Sequence, residues 1–151
     1  MGDLTQARVY ALRSCDQKPE NAEHGCLLTW LKMCQDGPEQ ATANYLKDLA
    51  AFDPQVDAAY LCRGIALWLQ EEYEAALLEL EQLSALEPLS KEAYFWIGVV
   101  YASLGRDQEA IDALKHALEL GLFPQLLTPL TWLKETRPDF YEQYARPLLA
   151  Q

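Results

Sequence analysis

From Glu71 to Pro88, EEYEAALLELEQLSALEP, Leu and Ala recur at every third or fourth position among six Glu. That spacing predicts a helix with one apolar and one acidic face. It turns Leu77, Leu80, Leu83 and Leu86 towards neighbouring helices and leaves Glu72, Glu79 and Glu87 in solvent. The rhythm returns in RDQEAIDALKHALEL, Arg106 to Leu120, and a shift of 34 residues lays the chain on itself. Pro54 falls on Pro88, Tyr60 on Tyr94, Gly64 on Gly98, Ala76 on Ala110 and Leu80 on Leu114, while Gly37 falls on Glu71 and then on Gly105. A fixed period of this length is the mark of a repeat array.

Each unit reads as two amphipathic helices joined by a short turn. Gly64 and Gly98, with no side chain, let a neighbouring helix approach closely, and Ala76 and Ala110 do the same on the second helix. Pro54 and Pro88 close each unit because proline cannot continue a helix. Asp36-Gly37-Pro38 and Leu104-Gly105-Arg106 are the turns within pairs. One pair cannot bury its apolar face alone, so the pairs must stack and share a continuous core. The predicted fold is all-α, a single domain over 1–151, with an N-terminal helix and loop at 1–22, a divergent repeat at 23–56, repeats at 57–90 and 91–124, and C-terminal capping helices at 125–151.

The ends of such a stack need covering. DLTQARVYALRS, Asp3 to Ser14, reads as a short amphipathic helix followed by a polar loop. After Gly121 and Pro124 end the last repeat helix, Pro129 sits in the first turn of a helix running to about Lys134. Pro138 starts another, which Pro147 stops or kinks. Leu126, Leu127, Leu130, Leu133, Phe140, Tyr141 and Tyr144 give this segment ample apolar surface for a cap.

Half of the 151 residues are apolar, which suffices for a real core, and the net charge is −11. An acidic surface repels phosphate backbones and no basic stripe is present, so nucleic-acid binding is not expected. No apolar run approaches the ~18 residues of a membrane span. The first residues lack the pattern of a secretory leader, and MGDLTQ has Gln6 where a myristoylation signal wants Ser or Thr, so a cytoplasmic protein without membrane attachment is expected. Cys15, Cys26, Cys34 and Cys62 form no C-x-x-C pair, and only His24 near Cys26 joins the two ligand types. The expectation is reduced structural thiols and no metal or cofactor. His24 and His116 are the only histidines, no Gly-rich phosphate loop occurs, and no nucleophile stands beside a base. The chain is not expected to be an enzyme.

KEAYFWIGVVYASLGRDQEAIDALKHALEL, Lys91 to Leu120, resembles the tetratricopeptide repeat. Tyr94 takes the aromatic place, Ile97-Gly98 the Leu-Gly place and Tyr101 the Tyr place, with Ala110, Leu114 and Ala117 in step. Asp57 to Pro88 matches through Tyr60, Gly64, Tyr73, Ala76, Leu80 and Pro88, departing at Arg63 and Leu67. Glu23 to Pro54 is a weaker copy in which Trp30 replaces Gly and Thr42 replaces Ala, so that helix pair is expected to pack more openly.

The resemblance implies a right-handed superhelical solenoid whose first helices line a concave groove. It places Leu27, Leu31, Leu61, Ile65, Trp68, Glu92, Phe95 and Val99 on that groove, an apolar stripe with one carboxylate. The partner implied is another protein or peptide that offers an apolar or amphipathic segment, and the role is that of a noncatalytic adaptor. A dedicated small acidic chaperone for a secreted or assembling client is the alternative. Occupation of the groove by the chain's own terminal helices, and self-association through it, stay open beside an empty groove. Some members of the family grip the C-terminal carboxylate of heat-shock chaperones with cationic and amide side chains. The corresponding places here are Leu27, Leu31, Cys62, Glu92 and Trp96, so that ligand is not expected.

Overall fold

The computed structural model describes residues 22–52 and 55–150; the helix expected at Asp3–Ser14, Cys15 and the closing Pro54 lie outside the described residues. Six helices form three pairs: α1 (Ala22–Asp36) with α2 (Gln40–Phe52), α3 (Asp57–Leu69) with α4 (Tyr73–Leu86), and α5 (Lys91–Ser103) with α6 (Asp107–Glu119). A 3-10 turn (Pro124–Leu127) and α7 (Pro129–Thr136) follow. A last helical segment, α8 at 138–149, begins at Pro138–Phe140, widens into a π turn at Tyr141–Ala145 and closes at Arg146–Leu149. The π turn answers Pro147, which has no N–H for the carbonyl one turn back and whose ring crowds it. No strand occurs among the described residues.

The helix ends follow from local sequence. Ser90 caps α5 by accepting a hydrogen bond from the Ala93 amide at 3.2 Å. Gly37, Glu71 and Gly105, aligned by the repeat, all adopt left-handed backbone at φ 91°, 62° and 83°. The ends of α3 and α5 then close alike: the Glu72 amide donates to the Leu67 carbonyl and the Arg106 amide to the Tyr101 carbonyl, both at 2.9 Å. Glu71 fills this role with a Cβ, where the left-handed region costs about 1–2 kcal/mol.

The pairs pack through the positions the repeat marks. A Cβ on Gly64 would lie 2.6 Å from Cδ2 of Leu80, and one on Gly98 2.6 Å from Cγ of Leu114 and 3.1 Å from the Ala110 carbonyl oxygen. In the first pair Trp30 holds that place, and the close approach moves to Gly25, where a Cβ would come within 2.9 Å of Leu49. Further along, α1 and α2 flank a cleft of about 540 Å³ lined by Leu28, Met33, Thr42 and Tyr45 among others.

The first helices α1, α3 and α5 pack side by side as an inner layer. The second helices form an outer layer, with α2 and α4 bridging to the first helix of the next pair. The chain then folds back. The 3-10 turn packs on α1 and α7 packs on α5, so the C-terminal segment makes a third layer across the inner one. The cap expected over the last repeat therefore reaches the first.

Two expectations for α4 need correction. Leu77, Leu80 and Leu83 are buried, but Leu86 is 53% exposed. Steps of three residues fall about 60° short of a full turn each, so Leu86 has drifted to the side of the helix opposite Leu77. Glu79, expected in solvent, is half-buried and its carboxylate accepts from Nε of Arg63 at 3.0 Å.

Replacing Glu71 with glycine relieves the left-handed strain at the cost of a looser unfolded chain. Glu71→Gly is expected to raise unfolding stability by about 0.5–1 kcal/mol. Urea unfolding checks this through a higher midpoint at unchanged slope; a lower midpoint contradicts it.

Candidate functional site

The inner face carries the positions that the sequence assigns to the groove. Leu31, Ile65, Phe95 and Val99 are fully buried and Trp68 nearly so, whereas Leu27, Leu61 and Glu92 are half-buried. Leu126, Leu127, Leu130 and Leu133 of the C-terminal segment belong to the same apolar core.

A run of rings joins the layers. Trp30 stacks on Phe95 at 5.3 Å and meets Trp96 edge-on at 5.4 Å. Trp68 meets Trp96 edge-on at 5.4 Å and stacks on Trp132 of α7 at 5.9 Å. The geometries are those that ring quadrupoles favour. Trp30 also donates from Nε1 to the Leu126 carbonyl at 3.2 Å, fixing the 3-10 turn on α1.

Arg137 ties down the other end of the segment. Its guanidinium donates to the Ala102 carbonyl, at the end of α5, and to both carboxylate oxygens of Asp107, at the start of α6, at 2.9 and 3.2 Å. It also lies 5.9 Å from the Phe140 ring centroid. Carboxylate and carbonyl acceptors held by one planar cation give a directional clamp rather than a loose surface pair.

The thiols are structural. Cys26 and Cys62, both buried, meet across α1 and α3; the hydrogen bond between them and then burial push the Cys26 thiol well above the ordinary range, with Cys62 and Glu92 adding repulsion. Burial pushes Cys34 up to about 11, against a lowering hydrogen bond with Thr128 of the C-terminal segment. His116 packs its ring edge-on against Tyr94 at 4.4 Å, on the outer side. Among the described residues no three His, Cys, Asp or Glu side chains gather as metal ligands, and no helix is long and apolar enough to cross a membrane.

The sequence did not single out Trp30, Trp132 or Arg137 as residues that hold the C-terminal segment against the inner helices. Trp30 in a glycine place was the one visible signal.

Stacked helix pairs define an α-solenoid of the protein-interaction class. The family model described as tetratricopeptide repeat matches residues 61–125, which take in most of the second and third helix pairs. A solved structure of MamA is 25% identical over 99% of this chain and 88% of its own, at a TM-score of 0.50. The Pseudomonas aeruginosa PilF structure is 21% identical over 99% of this chain and 69% of its own, at a TM-score of 0.51, a likeness of fold. No curated protein sequence matches the chain. Tetratricopeptide repeats are protein–protein interaction modules, and this fold is one of them.

Two outcomes test the covered face. With a pKa of about 11, the thiolate fraction of Cys34 at pH 8 is about a hundredfold below that of an ordinary thiol. Maleimide labelling of Cys34, read by peptide mass mapping, is expected to be slower by at least that factor in the folded chain than in urea. Arg137→Ala is expected to cost about 1–2 kcal/mol of stability. Asp107→Ala in that background adds little if the two residues act as one clamp, and additive losses in the double variant refute the clamp.

Proposed function

We propose that this chain is a noncatalytic adaptor whose inner groove is filled in cis, so that Leu31, Ile65, Phe95 and Val99 hold its own C-terminal segment and partners meet its outer surface. The observation that carries this is the Trp30–Leu126 hydrogen bond at 3.2 Å set among stacked rings that bury both partners. The ligand in the groove is of the kind the stripe calls for, an apolar segment with Leu126, Leu127, Leu130 and Leu133. Being part of the chain, it acts at a high effective concentration and keeps a free peptide at a disadvantage. A heat-shock carboxylate tail meets no cation at Leu27, Leu31, Cys62, Glu92 or Trp96, and Leu31, Cys62 and Trp96 are fully buried. The chaperone alternative requires a groove open to client segments.

Native-state hydrogen exchange separates the two readings. The amides of Leu130–Leu133 are expected to exchange at the same free energy as those of α5, that is, only with global unfolding. Exchange of that stretch several kcal/mol below α5 contradicts the cis-filled adaptor and favours a groove that opens to clients.

A further inference from the structure

The outer face of α4 is apolar where the fold does not ask for it. Ala75, Leu78, Gln82, Ala85 and Leu86, with Leu89 in the following turn, are all exposed and follow helical spacing along one stripe. Leu78, Leu86 and Leu89 are 68%, 53% and 78% exposed. One repeat later the same places read Glu109 for Ala75, Asp112 for Leu78 and Glu119 for Ala85, so the solenoid tolerates polar groups at those three, whereas Leu86 and Leu89 fall on Leu120 and Phe123.

The stripe is bordered by carboxylates. Glu74 and Glu81 flank one side, Glu72 and Glu79 the other, and α4 contains no Lys or Arg. Two cations reach these borders: Arg63 pairs with Glu79 at 3.0 Å, and Arg106, paired with Glu109 at 2.6 Å, also feels Glu81, while Glu72 and Glu74 keep both borders acidic. Because both borders are acidic, two copies of α4 laid together in either direction would set carboxylate against carboxylate, and each chain brings a net charge of −11. The complement is a helix whose apolar stripe is bordered by cations.

We propose that the outer face of α4 is a docking surface for an amphipathic helix of another protein, with aliphatic residues at helical spacing seated on Leu78, Leu86 and Leu89 and with Lys or Arg facing Glu74, Glu81 and Glu72. This rests on the adaptor reading and names the class of partner. Packing of helix on helix supplies the apolar contact, and the charges set orientation and rate of encounter.

The test uses the full chain and a designed 20-residue amphipathic peptide of about five Leu at helical spacing bordered by Lys. Binding is followed by fluorescence anisotropy and mapped by backbone chemical shifts. Saturable binding mapped to α4 is expected, weakened at least tenfold by Leu78→Gln/Leu86→Gln and by Glu74→Gln/Glu81→Gln, and reduced by salt. The exposed positions should leave circular dichroism and thermal midpoint unchanged. Equal binding of a Glu-bordered peptide, equal binding by the Gln variants, or a dimer that Leu78→Gln/Leu86→Gln dissociates each overturns the assignment. Shifts mapped to Leu31, Ile65 and Phe95 with residues 126–133 displaced overturn the adaptor reading too. Absence of binding with that stretch still protected overturns the α4 surface alone.

Discussion

Trp30 sets the constraint that the remaining architecture obeys. It stands where Gly64 and Gly98 let helix pairs close, and an indole cannot share that space with a leucine. The ring turns inward instead, onto Phe95 and Trp96 two pairs away. There it is 1% exposed and its N–H needs an acceptor. An orphaned buried donor costs about 1–3 kcal/mol, and the Leu126 carbonyl supplies what the inner helices cannot. The first pair pays in closeness, meeting at Gly25 and parting around the cleft beyond it.

The repeat was legible because its signals are local. Gly64 against Leu80 and the left-handed backbone at residues 37, 71 and 105 each act within one helix pair, and each recurs at a fixed offset. The alignment of Glu71 with two glycines even marked a strained position. What the groove holds was not legible. Leu126 and Leu130 read as a cap on the last repeat, since apolar spacing gives the face of a helix and not its neighbour. Arg137 was invisible for a related reason: a lone arginine between Thr136 and Pro138 announces no partner, and Asp107 lies thirty residues away. Leu86 was misread because a three-residue spacing was followed past the point where its drift leaves the buried face.

The inner and outer faces divide the chemistry between them. The large rings lie inside, where Trp68 reaches Ser103 through Nε1 at 3.0 Å and Trp132 through stacking. Apart from Glu92, the carboxylates of the second and third pairs named above lie on the outer side, some engaged, as Glu79 is with Arg63, and others bordering aliphatic side chains.

Trp30 and Leu126 are 96 residues apart, which makes this solenoid unlike a string of independent neighbours. At the usual pace of ~5–20 residues per second, the ribosome delivers the acceptor about 5–20 s after the donor. Through that interval the nascent helix pairs carry an aromatic face with nothing to cover it. Once residues 126–137 emerge, the ring run and the arginine clamp join first helix to last. A chain so joined is expected to open as a unit rather than fray repeat by repeat.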